Sequence, residues 1–192
     1  MDEKVRCSWA GDDPLYIRYH DEEWGRPLHD DRALFELLIL EGMQAGLSWI
    51  CILRKREAFR EAFEGFDPEK VAAFDDQKIE ALMQNPAIVR NRRKLTAAVD
   101  NARAFLALQR EYGSFDRWIW SFVGGEPVLN YWESLSEMPC KGPLSQKISS
   151  ELVKRGFRFV GPTIIYSFLQ AAGLVNDHVH GCFLFPGAAA ER

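Results

Sequence analysis

Residues 154–172 read KRGFRFVGPTIIYSFLQAA, and the six at their centre decide the fold. GFRFVG, residues 156–161, is the best strand candidate in the chain. It is short, bounded by glycines and set between two helical patterns. SQKISSELVKR starts at Ser145, and IIYSFLQAAG is opened by Thr163 and ended by Gly173. A six-residue glycine-bounded link between helices is a tight connection, so this stretch reads as a helix–hairpin–helix unit.

Working outward, the other punctuation is also helical. Asp30 and Asp31 precede a stripe in which Leu34, Leu37, Leu38 and Glu41 fall at i, i+3, i+4 and i+7. LSWICILRKREAFREAF follows. Asp67 and Pro68 form a cap and first-turn pair, Asp75 caps DQKIEALMQ, and Pro86 breaks the chain. IVRNRRKLTAAVDNARAFLALQ reads as one long helix, and SFDRWIWSFV starts at Ser114. Alternating strand patterns are nearly absent. The expectation is an all-α fold, a compact orthogonal bundle of short helices forming one domain over 1–192, with two lobes around a cleft.

At 192 residues, 47% apolar and 12% aromatic, the chain buries a real core. The net charge of −4 argues mildly against nucleic acid, but a local basic patch still binds phosphate. The first thirty residues carry no signal-peptide pattern, and no apolar run is long enough to span a bilayer. These features predict a soluble protein of the reducing cytoplasm. There Cys7, Cys51, Cys140 and Cys182 are free thiols or metal ligands rather than disulfides.

In GLVNDHVHGCFLFPG, residues 173–187, His178 and Cys182 stand four apart, on one face of a turn. Cys7 and His20 at the other end complete a Cys₂His₂ set. Four protein ligands leave no open position for water or substrate, so such a site is structural. By the disulfide analogy, closing so long a loop removes about 4–5 kcal/mol of unfolded-state entropy. The alternative is that these are scattered core or surface residues, because this is not a compact finger spacing. His29 and His180 read as solvated bystanders.

Glu41 is a carboxylate on an apolar stripe, which suits either a working pocket or a helix end leaning into solvent. Trp9, Tyr16, Tyr19, Trp24 and Trp49 crowd the same neighbourhood. Aromatics mostly fill cores. A carboxylate among indole and phenol rings also suits a flat cationic heterocycle. Two basic clusters stand out. VRNRRK, with Arg90, Arg92, Arg93 and Lys94, reads as a solvated face. Lys154, Arg155 and Arg158 precede Gly161 and Thr163 at a helix start, where backbone N–H groups suit a DNA phosphate.

WAGDDPLYIRYHDEEWG, LFELLILEGMQAGLSWI and RGFRFVGPTIIYSFLQAAGLVNDHVHGC together resemble the DNA-3-methyladenine glycosylase I family of the helix–hairpin–helix superfamily. The similarity runs from about Arg6 to Pro186. It implies a structural zinc snap on Cys7, His20, His178 and Cys182. It also implies a base pocket of Glu41, Tyr19 and Trp49 with Trp9, Tyr16 and Trp24 around it. The DNA-binding hairpin maps onto RGFRFVGPT, and Gln44 and Leu47 of QAGLSW map onto the loop that fills the gap left by an extruded base. Ala87 stands where the family usually has glycine, and Met43 where a polar residue is common. Many superfamily members have an aspartate poised at the sugar; VNDH offers Asn176 there, with Asp177 adjacent.

The implied activity is monofunctional excision of 3-methyladenine from double-stranded DNA in base excision repair, by a monomer. Methylation at N3 makes the base a cation that departs neutral, with little need of a general acid. Recognition, flipping and exposure of the sugar to water are then the main tasks. Glu41 is the residue named for catalysis. Two rival classes are a zinc-stabilised DNA-binding module without catalysis, and a zinc hydrolase, which would need an open metal position.

Overall fold

The computed structural model describes residues 4–187. Among them are nine α-helices: α1 (Pro14–Glu22), α2 (Asp31–Gln44), α3 (Trp49–Ala62), α4 (Pro68–Ala72), α5 (Asp76–Gln84), α6 (Arg92–Tyr112), α7 (Phe115–Trp120), α8 (Pro143–Lys154) and α9 (Pro162–Ala171). The expected caps act as caps. Asp30, Asp67, Asp75 and Ser114 each accept a hydrogen bond from a first-turn backbone N–H.

Several boundaries differ by a few residues. The long helix begins at Arg92 and not at Ile88, because the Asn91 side chain accepts from Lys94 N–H and caps it there. α8 begins at Pro143, with Ser145 in its first turn bonding back to Gly142 N–H. α9 begins at Pro162, one residue before Thr163. One feature was missed altogether. Val128–Leu129 (β1) and Val175–Asn176 (β2) form a two-stranded parallel pair, register Val128 to Val175 and Leu129 to Asn176. Two residues per strand are too few for any alternation to be visible in sequence.

α2 runs through the middle of the molecule. Every residue from Leu34 to Met43 is buried, the condition of a helix enclosed on all sides. α6 and α7 cover one side, α3 another, and α9 a third. Glu36 is buried on α2 and meets Arg56 and Arg60 of α3, so its charge is paired. Phe35, Phe105, Phe115 and Phe168 pack ring to ring through the core, Phe105 stacked on Phe115 and the others tilted or edge-on. Gly173 closes α9 at φ 69°, and a β-carbon there would lie 2.1 Å from the Arg26 carbonyl carbon. No other residue fits that approach.

The 155–161 stretch is the expected hairpin. Asn101 of α6 grips it twice: its Nδ2 donates to Arg158 O at 2.9 Å, and its Oδ1 accepts from Arg158 N–H at 2.7 Å. Ser149 Oγ of α8 donates to Val160 O at 2.7 Å. Among the described residues no helix is long and apolar enough to cross a membrane.

Candidate functional site

Cys7, His20, His178 and Cys182 converge in the interior, with all four ligand atoms within 4.8 Å of one another. Cys182 Sγ lies 3.4 Å from His178 Nδ1 and 3.5 Å from His20 Nε2, and Cys7 Sγ lies 3.6 Å from His178 Nδ1. A tetrahedron with metal–ligand bonds of about 2.0–2.3 Å has edges of about 3.3–3.8 Å. Three of the ligand–ligand distances fall on such edges, so the donor set suits a tetrahedral ion.

The second nitrogen of each ring is occupied as metal ligation requires. His20 Nδ1–H donates to Asp21 Oδ1 at 2.8 Å, leaving Nε2 turned to the cluster. His178 Nε2–H donates to Trp24 O at 3.1 Å, leaving Nδ1 for the cluster. Asp21 is held by Arg6 through Nε and Nη2. Hydrogen bonds from Cys7, then from His178 and His20, push the Cys182 thiol down toward the thiolate. His29 bonds Asp116 and packs on Trp120. His180 is exposed. Neither belongs to the cluster.

A second site lies beside it. Trp9, Tyr16, Tyr19 and Trp24, from the N-terminal segment around α1, line a cavity of about 180 Å³. Glu41 and Gln44 enter from α2, and Trp49 from the start of α3. The rings brace one another: Trp9 to Tyr16 at 5.1 Å, Trp9 to Trp24 at 5.0 Å, Tyr19 to Trp49 at 5.6 Å. All six residues expected at a base pocket line this one cavity.

Glu41 is 3% exposed, which removes the solvent-leaning alternative. Glu41 lies three residues before the end of α2, still inside its buried stretch. Glu41 Oε2 has no hydrogen-bond partner, and neither does the nearby Trp49 Nε1. Burial pushes the Glu41 carboxyl up to about 8, so at neutral pH it mostly carries a proton. Burial, and then Glu41 itself, raise Tyr16 and Tyr19. An orphaned acceptor and an orphaned donor in one ring-lined cavity are polar atoms arranged for a ligand.

The 44–48 segment joins Gln44 and Trp49 of the cavity wall, with Leu47 46% exposed at its tip. Gln44, expected to contact DNA, also lines the cavity wall. Beneath the segment Lys94 is buried, its Nζ 2.8 Å from Met43 O and 2.6 Å from Ala45 O. The VRNRRK run is thus only partly a solvated face, because the first turn of α6 passes under the loop. Arg92 and Arg93 share a groove of about 540 Å³ with Arg158 and Phe159 of the hairpin. Arg158 pairs with Asp100 at 3.0 Å and Lys154 with Glu151 at 2.7 Å. No side chain caps α9, so the N–H groups at Gly161 and Thr163 face outward without an intrahelical partner.

The family model described as methyladenine glycosylase matches residues 9–185. The chain belongs to the methyladenine glycosylase family. It is 51% identical to DNA-3-methyladenine glycosylase 1 of Escherichia coli (strain K12), over 95% of this chain and 97% of the relative. A crystal structure of 3-methyladenine DNA glycosylase I superposes with a TM-score of 0.92 at 52% identity, covering 95% of this chain and all of that one. A variant of 3-methyladenine DNA glycosylase I in complex with 3-methyladenine superposes with a TM-score of 0.91 at 44% identity, covering 94% and 97%.

Within this member of the family, three cavity residues escaped the sequence reading: Met138, Ser167 and Gln170. Met138 sits in an irregular segment that carries no motif. Ser167 and Gln170 lie one helical turn apart on α9, in a stretch read for its apolar face. The signal that was available is Gln170 itself, a buried amide on a core helix. The resemblance also offered Asn176 and Asp177, and both are hydrogen-bonded within the protein. Asp177 is 0% exposed and accepts four hydrogen bonds. Asn176 accepts from His178 N–H.

Proposed function

We propose that the ring-lined cavity receives 3-methyladenine turned out of duplex DNA, and that Glu41 and the surrounding rings select it there. The protein is a DNA glycosylase that hydrolyses the N-glycosidic bond of that base. One observation carries the reading: a fully buried carboxyl with an orphaned oxygen inside an aromatic cavity about the size of one heterocycle. For scale, an apolar cavity of about 150 Å³ admits benzene. Tyr16, Tyr19, Trp9 and Trp49 supply π faces, and Glu41 supplies an acceptor that becomes an anion when a cation enters.

The chemical step follows from the substrate. Methylation at N3 places positive charge on the base, so the electron pair of the C1′–N9 bond returns to a neutral leaving group. Water adds its oxygen to C1′ and gives its proton to solvent. No buried carboxylate at the sugar is needed, which fits the saturation of Asp177. The protein's share is extrusion of the base, a snug pocket for it and an accessible sugar. Leu47, at the exposed tip, fills the space that the base leaves in the stack. The hairpin holds the backbone through Lys154, Arg158, and the N–H groups at Gly161 and Thr163.

Cys7, His20, His178 and Cys182 hold zinc, which when bound supplies a structural cross-link between the two ends of the chain and no open coordination position. The chain works as one glycosylase domain, as a monomer, in the cytoplasm where DNA lies. A non-catalytic DNA-binding module would share the hairpin but would have no use for Glu41. The deciding test is release of free base from methylated duplex DNA, with the product identified chromatographically. Free 3-methyladenine is the expected product, and duplex binding without release would replace this reading with the binding module.

A further inference from the structure

We propose that Gln170 is a second base-selecting residue, that its amide is held as an acceptor by Asp177, and that together they favour 6-amino over 6-oxo purines. The proposal rests on reading the cavity as a base pocket. The chain of contacts starts at the small parallel pair. β1 and β2 run in register, so the residues just past them, Asn130 and Asp177, come side by side. Asn130 Nδ2 donates to Asp177 Oδ1 at 2.7 Å, and Trp132 Nε1 donates to the same oxygen at 2.8 Å. Asp177 Oδ2 takes Tyr166 O–H at 2.7 Å and Gln170 Nε2 at 2.6 Å.

Each of the two oxygens thus accepts twice, so Asp177 meets its neighbours as an acceptor on every side. It therefore dictates which end of the Gln170 amide faces it. The nitrogen must turn toward Asp177, where Met138 Sδ also lies 3.1 Å away. The oxygen is then the polar atom that Gln170 has left for the cavity it lines. A free glutamine would serve as donor or acceptor by flipping; this one is committed.

The chemistry of the purines makes that commitment selective. Adenine carries an amino donor at C6, and guanine and hypoxanthine carry a carbonyl acceptor there. An amide oxygen facing position 6 gains a hydrogen bond from the amine and meets a lone pair from the carbonyl. Rejection through an unmatched buried polar group is stronger than rejection by shape. Asp177 touches no base, so it is a positioning residue. Gln170 makes the contact.

The test uses two free bases that differ only at C6, 3-methyladenine and 3-methylhypoxanthine, with affinities read by quenching of tryptophan fluorescence. The ratio of their dissociation constants is the readout, beside a melting curve. Wild type should favour 3-methyladenine. Gln170→Met should reduce that ratio about fivefold, the worth of one neutral hydrogen bond. Asp177→Asn should reduce it similarly, and should add nothing in the Gln170→Met background. Equal weakening of both bases by Gln170→Met would leave Gln170 a packing residue and overturn the proposal. A folded Asp177→Asn protein with the wild-type ratio would overturn the role of Asp177. If that variant does not fold, the Gln170 side-chain amide resonances of the wild type decide. Protected signals that persist on base binding support the proposal, and exchange-broadened or reoriented ones overturn it. Failure of wild type to bind either base would instead reject the base-pocket reading.

Discussion

The ammonium of Lys94 lies 2.6 Å from the carbonyl oxygen of Ala45, inside the protein and without a carboxylate partner among the described residues. It also holds Met43 O at 2.8 Å. A cation at the end of α2 satisfies carbonyls that the helix leaves open and complements its dipole. The segment so held carries Leu47 and leads back to Glu41. Lys94→Met should cost about 1–3 kcal/mol of stability through the unpaired carbonyls. It should slow excision from duplex DNA about tenfold or more, with free-base affinity within about threefold of wild type. Unaltered excision would make Lys94 a core cation with no bearing on the loop.

Glu41 sets a pH dependence. Its carboxyl sits near 8 in the fold against about 4.5 when unfolded, so the native state binds more protons between those values. Stability is then greatest below about pH 4.5 with respect to this group and falls as pH rises through 8. Glu41→Gln should flatten that slope and melt higher than wild type above pH 8, by up to a few kcal/mol. Melting curves across pH 5–9 check this.

On the proposed reading the same residue also sets charge selection. A fixed cation such as 3,9-dimethyladeninium should release a proton from Glu41 when it binds below pH 8. Calorimetry in buffers of different ionisation enthalpy reads that proton. Glu41→Gln should bind the cation about tenfold more weakly at pH 8 and lose the proton release, since charged hydrogen bonds exceed neutral ones by about 1 kcal/mol or more. Wild-type affinity and selectivity in this variant would assign recognition to the rings alone.

The metal cluster depends on Asp21, which fixes the His20 ring through a 2.8 Å hydrogen bond. Metal analysis of pure protein should find about one zinc per chain. Asp21→Asn should weaken zinc binding about 10–100-fold, and Cys182→Ser should lower metal content and melting temperature together. With the structural role proposed for the cluster, whatever folded protein remains should still excise base. A loss of activity in fully folded, metal-free protein would contradict that role.

DNA affinity should follow the hairpin and not the net charge of −4. Arg158 and Lys154 are exposed cations paired with half-buried carboxylates, but such surface pairs are worth at most about 1 kcal/mol and yield to phosphate. Changing both to Ala should weaken binding to any duplex sequence and reduce the salt slope by up to about one unit per lost contact. Leu47→Ala should spare free-base binding and impair action on duplex. Binding titrations from low to moderate salt would show an unchanged slope if DNA lies elsewhere.

Local chemistry was legible in the chain itself. Caps at Asp30, Asp67, Asp75 and Ser114, the glycine-bounded 156–161 link, and the ring-rich N-terminal segment all announce themselves within a few residues, because capping and helical periodicity are short-range effects. Motif resemblance then picked out, by position, the four Cys and His residues that converge and six residues that line the cavity. Tertiary structure alone decided what depends on distant segments meeting. The enclosure of α2 made Glu41 a buried, proton-holding acid rather than a helix end in water. The passage of α6 under the 44–48 segment turned Lys94 from a surface charge into an internal brace. Two-residue strands too short to show a pattern brought Asn130 to Asp177, and so set the direction of the Gln170 amide. Burial, desolvation and hydrogen-bond direction are properties of neighbours in space, and a residue's neighbours in sequence do not contain them.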